Sequence, residues 1–434
     1  MIGVLGGGLS GLALASRLPD AEVLEAAERP GGLCRSVSFE GFTFDPHGSH
    51  ILFSRDPRAM GFYEALLGEN VCRRRRNTKV FYKGRYVKYP FENGLGELPP
   101  EDNLACLLGY VTAYAARKAG TAPRPTNLRE WMYHRFGKGI TECYLLPYNE
   151  KAWKAPAAEM GFDWVDGRVP DPPLEDVIRS SLGIPTDGYT HQLHFLYPRE
   201  GGVECLVRAL LPKVPRVRAG FRVASIRPRG GGWTVGDGTE EREYDGLVST
   251  LPIPDLVRCL HDAPAEVRAA ADALQHRSLV TVMLGISRPA LNEFSWVYFP
   301  RPEDGRFNRI SFPSNFSDRV APPGTSSAVA EITCNVGDEV WSAPDAALVE
   351  HVVERADALG VFRRAEVISS RVARTPYAYV VFDRHHRRNL ELVQAYAARL
   401  GIRLLGRFGQ FDYINTDQCL LRAFALAEEM GGGA

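Results

Sequence analysis

Met1-Ile-Gly-Val-Leu5-Gly6-Gly-Gly8-Leu-Ser-Gly11, followed by Glu25-Ala-Ala-Glu-Arg-Pro-Gly31-Gly32, decides how the rest of the chain is read. Ile2 to Leu5 is a short apolar run of the kind that forms a buried parallel strand. Gly6, Gly8 and Gly11 stand in G-x-G-x-x-G spacing. Leu9 to Leu18 carries apolar residues at helical spacing, Pro19-Asp20 stops that helix, and Ala21 to Leu24 reads as a second strand ending on Glu25. Strand, glycine turn, helix, strand and acid is the order a dinucleotide-binding unit requires. Gly6 allows the tight turn, Gly8 lets the backbone approach a pyrophosphate at the positive end of the helix, and Gly11 lets helix and strand pack closely. Glu25 is placed to accept from ribose hydroxyls, and its charge disfavours the 2′-phosphate of NADP. The competing reading is a glycine-rich turn in an ordinary α/β unit, which does not require strand, helix and acid all in register.

Working outward, 434 residues exceed one compact core and imply two or three domains. Fifty-two basic residues balance 52 acidic ones. Zero formal charge argues against a general nucleic-acid or membrane-surface role. Arg73 to Arg76 is the one basic block, read as a solvated face or as the rim of an anionic-substrate site. The eight cysteines show no CxxC or Cys/His ligand spacing, so neither a metal site nor a disulfide framework is expected, and reduced thiols in a cytoplasmic protein are the simplest reading. The N-terminus has no basic region before its apolar run and is not expected to be a signal peptide. The longest apolar stretch, near Leu104 to Ala116, is too short to span a bilayer.

Along the chain, Phe39 to Asp45 alternates like a strand and leads to Pro46-His-Gly-Ser-His50, where glycine beside histidine suggests close approach to a ligand. Val80 to Val87 reads as a hairpin turning at Lys83-Gly84. Asp102 to about Tyr148 is helical, and Asn127-Leu-Arg-Glu130 resembles a capping box that opens a helix at Leu128. Leu193 to Pro198 is a strand, and Gly201-Gly202 leads into a helix at about Val203 to Leu211. Val217 to Ile226, Trp233 to Val235 and Asp245 to Pro252 read as further strands. Leu279 to Ile286, Trp296 to Phe299, Asn308 to Phe312, Ser327 to Thr333 and Ile368 to Val381 are β-rich and suggest an antiparallel sheet. Ala347 to Ala358 is a helix, Arg384-His-His-Arg-Arg a solvated loop, and Leu390 to Leu400 and Cys419 to Glu429 are helices.

The Gly31-Gly32 pair just after the acid resembles the FAD-binding pattern of the amine oxidase and UDP-galactopyranose mutase superfamily, which moves the expected cofactor from NAD to FAD. The resemblance then extends over most of the chain, in order. It includes the His50 loop, Tyr89-Pro-Phe-Glu-Asn93, Asn149-Glu-Lys-Ala-Trp153, Trp164-Val-Asp-Gly-Arg168, Phe195-Leu-Tyr-Pro198, Leu247-Val-Ser-Thr250, Trp296-Val-Tyr-Phe-Pro300, Asn308-Arg-Ile310, and Gly406-Arg-Phe-Gly409 through Asp417. These residues are similar to those of FAD-dependent UDP-galactopyranose mutases of the eukaryotic type.

The resemblance implies an α/β fold: a discontinuous Rossmann-like FAD-binding domain with a helical insertion and an antiparallel β-sheet substrate domain. The expected segments are 1–75, 191–262 and 389–434 for the FAD domain, 101–190 for the helical part, and 76–100 with 263–388 for the substrate sheet. It implies an isomerase that interconverts the pyranose and furanose forms of a nucleoside-diphosphate sugar of the UDP-galactose/galactofuranose type. The active cofactor would be reduced FAD, whose N5 forms an adduct with the anomeric carbon, with no net redox change. NAD(P)H or another reductant would be a further partner, and no nucleic acid is expected.

By the same resemblance, His50 meets the flavin ring. Arg309, Tyr413 and Tyr377 match the diphosphate-binding arginine and tyrosines. Arg407 matches the arginine beside the flavin, and Asn415 falls near it and the sugar. Val223 matches a backbone contact to adenine. Tyr89, Glu92, Asn149, Trp153, Arg168 and Tyr298 match substrate-contacting positions. Two departures stand out: Glu92 replaces the glutamine of eukaryotic members, and the loop before His50 is slightly longer. The alternative function is an FAD-dependent oxidase or desaturase of the amine oxidase or protoporphyrinogen oxidase type, and a third class is a flavoprotein fold kept as a binding module. Arg309 with Tyr377 and Tyr413 favours an anionic diphosphate, whereas an oxidase substrate would want a largely apolar tunnel.

Overall fold

The structure is a computed structural model that describes residues 1–165, 169, 171–186 and 193–431. The opening strand Ile2–Leu5 is central in a five-stranded sheet, in the order Ile402–Leu404, Gly246–Ser249, Ile2–Leu5, Ala21–Glu25, Arg216–Ala219. All four pairings are parallel. Parallel neighbours need crossover connections rather than hairpins, so strands from four distant stretches can share one sheet. Val4, Leu5, Val23, Leu24, Leu247 and Val248 are buried on both faces, which is why these strands read as near-continuous apolar runs. The helices Leu9–Ala15 and Thr416–Glu429 cover one face through Leu12, Leu14, Leu420 and Ala423. Trp233, Tyr244, Ile253 and Leu256 fill the other.

The expected run Val217 to Ile226 is not one strand. It ends at Ala219, turns at Gly220 with φ +76°, and resumes as Ser225–Arg229 in a three-stranded antiparallel ribbon. The ribbon's third strand, Glu241–Tyr244, was not foreseen, because Glu-Arg-Glu-Tyr exposes its charges and lacks the apolar alternation that marks a half-buried strand.

The second sheet has seven strands, in the order Val367–Val380, His276–Ile286, Ser326–Cys334, Arg309–Ser311, Trp296–Tyr298, Thr78–Tyr82, Arg85–Lys88. It is antiparallel apart from one parallel join between Trp296–Tyr298 and Thr78–Tyr82. The helical part lies between those two strands in the chain. It is not continuous from 102 to 148: the helix Pro100–Lys118 is followed by a break, then Leu128–Ile140, a π turn Thr141–Leu145, and Leu146–Trp153. Gly120 at φ +69° and the prolines at 123 and 125 cause the break. Asn127 caps the next helix by accepting from the Glu130 N–H at 2.9 Å. The Glu130 carboxylate takes the Thr126 N–H at 2.8 Å, so the box is displaced by one residue on that side.

Arg384 to Arg388 is not a solvated loop throughout. His386 starts the helix His386–Arg399 and is buried against Phe382 and Phe411, with Nε2 3.1 Å from the Phe411 carbonyl. Among the described residues no helix is long and apolar enough to cross a membrane.

Candidate active site

A cavity of about 1050 Å³ opens between the two sheets. The glycine turn and the helix after it contribute Gly6, Gly8 and Ser10 to its lining, the end of the second strand and the turn beyond it contribute Glu25 and Gly32, and the second sheet and the last loop contribute Trp296, Tyr298, Arg309 and Tyr413. Ligands of open parallel sheets bind at this carboxyl edge, where crossovers leave a crevice.

The glycine turn is held by the acid. Gly7 N–H donates to Glu25 Oε2 and Ala27 N–H to Oε1, both at 2.8 Å. Glu25 therefore orders the turn as well as facing the cavity. A Cβ on Gly11 would stand 2.2 Å from the Gly6 carbonyl oxygen, which only glycine avoids. Gly11 thus shapes the turn without lining the cavity. Gly31 likewise acts from behind, donating its N–H to the Gly7 carbonyl at 2.7 Å.

Three residues of the lining carry buried polar atoms with no partner among the described residues: His50 Nδ1, Trp296 Nε1, and Arg407 Nε and Nη2. The remaining Arg407 nitrogen, Nη1, donates to the Ile414 carbonyl at 3.2 Å, and the guanidinium lies 4.5 Å from the Tyr413 ring centroid. An unpaired buried donor costs about 1–3 kcal/mol, so a cavity wall carrying several suits a polar, anionic ligand. A bare backbone cradle beside these orphaned donors fits a flavin dinucleotide. Burial, then Arg407, pushes the His50 imidazole down to about 4, so it stands neutral at pH 7.

Arg309 is not the open fork expected of it. Its Nε and Nη2 reach Glu331 Oε1 at 3.0 and 2.7 Å, and Nη2 reaches Oε2 at 2.7 Å. Only Nη1 remains outside the pair. Glu331 has no exposed surface. It also accepts from the Ser49 N–H at 3.3 Å and the Tyr379 hydroxyl at 3.4 Å, joining Arg309 to the loop that carries His50. Burial, the largest single effect, works against the Arg309 charge, but Glu331 together with Tyr379, Tyr298 and Tyr148 outweighs it and holds the guanidinium well above the ordinary arginine range. Sequence reasoning missed Glu331. Its signal was a lone acid in Ser326–Cys334, a strand otherwise buried and uncharged.

Tyr377 stands at one side of the site. It lines the cavity, but its hydroxyl donates to Asp255 Oδ1 at 3.1 Å and its ring stacks on His276 at 4.3 Å. The tyrosine that stands with Arg309 and Arg407 is Tyr379, 6.2 Å from Tyr413 between ring centroids. The irregular pairing between Arg277 and Leu279 shifts the strand register next to these tyrosines, which the sequence does not announce.

The basic block divides. Arg73 pairs with Glu64 at the surface, whereas Arg76 turns inward over Tyr89 and Trp296, 4.7 Å from each ring centroid. Tyr89 and Tyr298 line the cavity with ring centroids 5.3 Å apart, and Asn415 joins the lining at the N-cap of Thr416–Glu429.

Other expected contacts lie outside the lining. Asn149 donates to the Leu145 carbonyl at 2.7 Å and accepts from Trp153 Nε1 at 3.0 Å, so both support the wall from behind. Trp153 packs edge-on against Tyr413 and Tyr379. Glu92 is buried in the short turn Phe91–Asn93. The Val223 carbonyl accepts from Cys259 Sγ at 3.3 Å. Arg168 lies outside the described residues.

A glycine turn on a parallel sheet, an acid ordering it, and a second sheet supplying an arginine-lined wall define an FAD-dependent enzyme of the two-sheet α/β class. The chain belongs to the flavin-containing amine oxidoreductase family, whose pattern matches residues 9–393, and its cofactor is FAD. Its structure is similar to that of reduced UDP-galactopyranose mutase, with a TM-score of 0.90 and 27% identity over 99% of this chain and 93% of that one. A protein provisionally assigned as a protoporphyrinogen oxidase, from Exiguobacterium sp. 255-15, matches with a TM-score of 0.76 and 19% identity over 99% and 98% of the two chains. A fatty acid isomerase from P. acnes that produces CLA matches with a TM-score of 0.66 and 15% identity over 99% and 98%. The last two show the fold alone.

Proposed function

We propose that this flavoprotein is a sugar-nucleotide mutase, interconverting pyranose and furanose forms of a nucleoside-diphosphate sugar of the UDP-galactose type. The observation that carries this reading is the charge of the cavity wall. Six arginines line it (Arg35, Arg55, Arg76, Arg309, Arg374 and Arg407), two of them paired from behind, Arg309 with Glu331 and Arg374 with Asp345, against the lining carboxylates of Glu25, Asp56 and Asp417. A wall of that kind suits a diphosphate and poorly suits an amine, a porphyrin or a fatty chain. The likeness to reduced UDP-galactopyranose mutase supports the same choice.

FAD in its reduced form would supply the nucleophile. Arg309, through Nη1, and Arg407, through its unpaired nitrogens, would take the charge that develops on the departing diphosphate. Tyr413 stands beside them as a neutral hydroxyl donor, while the Tyr379 hydroxyl faces Glu331 and helps hold that carboxylate. Arg76, Tyr89, Trp296 and Tyr298 form an aromatic, cationic wall on which a nucleobase or sugar ring can lie. Neutral His50 presents a hydrogen-bonding ring to the flavin side without adding charge.

The test is incubation of dithionite-reduced protein with a panel of nucleoside-diphosphate sugars, separated by chromatography. Ring-size isomers of one sugar nucleotide should appear with reduced protein and not with oxidised protein. Equal turnover by oxidised enzyme, or stoichiometric hydrogen peroxide from a substrate in air, would overturn the mutase reading in favour of an oxidase.

A further inference from the structure

All eight cysteines are free, and two of them meet inside the helical part. Cys106 is fully buried in the helix Pro100–Lys118, and Cys143 is half-buried in the π turn Thr141–Leu145. Gly139 brings them together. A Cβ on Gly139 would stand 2.5 Å from the Cys106 Cα and nitrogen, so the two backbones touch there. Cys143 follows Gly139 by four residues and comes up on the same side, one turn along. Its sulfur accepts from the Tyr82 hydroxyl at 3.2 Å and lies within hydrogen-bonding reach of the Cys106 thiol. Single π turns inside helices collect at functional positions, and this one carries a thiol.

The two sulfurs are unlike. The reactive form of cysteine is the thiolate. Cys106 is the largest influence on Cys143 and, with the Tyr82 hydroxyl and Lys83, pulls its thiol down to about 7 against burial and Asp102. Cys143, and then burial, pushes Cys106 the other way. Burial also pushes up Cys34, Cys205, Cys259, Cys334 and Cys419. A half-buried sulfur that ionises near neutral pH, with a second thiol in reach, is the arrangement of a peroxide-reactive pair.

We propose that Cys143 and Cys106 form a reversible disulfide when the protein meets hydrogen peroxide, with Cys143 the attacking and Cys106 the resolving cysteine. The Cys143 thiolate attacks one peroxide oxygen, the O–O bond breaks, and the departing hydroxide takes up a proton to become water. Cys143 is left as a sulfenic acid and the peroxide has been reduced. The Cys106 sulfur then attacks the Cys143 sulfur, the S–O bond breaks, and the hydroxyl leaves as water with the Cys106 proton. Two thiols and one peroxide thus give one disulfide and two waters. The bond ties the π turn to the helix Pro100–Lys118. The tie reaches the cavity wall, because Tyr144 stacks on Tyr148 and Tyr148 packs edge-on against Tyr298, with centroids 5.5 and 5.0 Å apart.

The test uses the full-length, FAD-loaded protein, reduced with dithiothreitol, desalted and treated with one equivalent of hydrogen peroxide. Non-reducing peptide mapping of the wild type should find one disulfide, joining the Cys106 and Cys143 peptides, and dithiothreitol should open it. This measurement needs no variant and decides by itself. In Cys106→Ser the reaction should stop at the Cys143 sulfenic acid, captured by dimedone, and in Cys143→Ser neither product should form. Flavin absorbance reports that each variant is folded. Hydrogen exchange across Thr141–Trp153 should slow when the wild type is oxidised and not when Cys106→Ser is. At neutral pH iodoacetamide should alkylate Cys143 ahead of the other cysteines, and Tyr82→Phe should slow that reaction by about threefold, since the thiolate loses a donor. A disulfide between other cysteines, a Cys143 that stays reduced while others are consumed, or exchange that oxidation leaves unchanged would overturn the proposal.

Discussion

Glu331 is a carboxylate with no exposed surface, tolerated because Arg309, the Ser49 N–H and the Tyr379 hydroxyl all reach it. Removing one partner of such a pair strands the other charge, at about 3–5 kcal/mol. Glu331→Ala should therefore lower the free energy of unfolding read from urea denaturation by that order, and a stability equal to wild type would show that the pair is not the anchor it resembles. Arg309→Ala should in addition weaken nucleoside-diphosphate binding by roughly 2–4 kcal/mol, with Arg309→Lys recovering only part, as isothermal titration would read. Unchanged affinity would remove Arg309 from the proposed diphosphate site.

His50 gives a pH dependence. Its native imidazole is depressed to about 4 by burial and then by Arg407, against about 6.5 in the unfolded chain. Above about 6.5 neither state holds the proton, so the ring adds no pH dependence there. As the pH falls from there toward 4, the unfolded chain binds a proton that the native ring refuses, so stability is lost across that window. His50→Gln should flatten this part of the pH–stability curve, and a variant curve parallel to wild type between those limits would show that the ring is not buried neutral.

At the scale of elements, the helix Leu128–Ile140 depends on its start and on one residue inside it. Asn127 caps the first turn through Glu130 N–H, so Asn127→Ala should cost about 0.5–2 kcal/mol by chemical denaturation. Gly137 sits at φ +71°, ψ −178°, and a Cβ there would stand 2.0 Å from the Gly109 carbonyl oxygen. Backbone conformation alone disfavours a side chain by about 1–3 kcal/mol, and the clash adds to it. Gly137→Ala should therefore be more damaging than Asn127→Ala, and the reverse order would contradict the close approach of the two helices. The helix Leu128–Ile140 runs through the π turn Thr141–Leu145 into Leu146–Trp153, whose Asn149 and Trp153 back the wall, so the damage should reach ligand affinity as well as stability.

At the scale of the whole molecule, the cofactor binds the native state across segments that meet only on folding. Saturating FAD at a hundredfold over its Kd should add about 2.7 kcal/mol to stability by mass action. A thermal midpoint that rises with added FAD and not with NADP would follow from the Glu25 carboxylate beside the turn, and equal shifts would refute that reading. The parallel sheet draws on residues 2–25, 216–219, 246–249 and 402–404, so FAD should protect strands from all four stretches against hydrogen exchange together.

The sequence by itself determined the cofactor unit, because its information is local: Gly6, Gly8, Gly11 and Glu25 act through backbone geometry and spacing within one strand–turn–helix–strand segment. It also showed most strands and helices, and the family likeness carried by Arg309, Arg407 and Tyr413. What it could not show was the partner of each long-range charge. The pairing of Arg309 with Glu331 joins residues 22 apart on neighbouring strands, and its meaning comes from a burial that no spacing announces. The placing of Tyr379 beside Arg309 and Arg407, with Tyr377 turned to Asp255, goes with a register shift in the strand pairing, and the inward turn of Arg76 out of a run of four arginines goes with the rings of Tyr89 and Trp296. Motifs that work through the backbone are written along the chain, whereas the charge and hydrogen bonding of a buried side chain are set by neighbours that only the tertiary fold brings together.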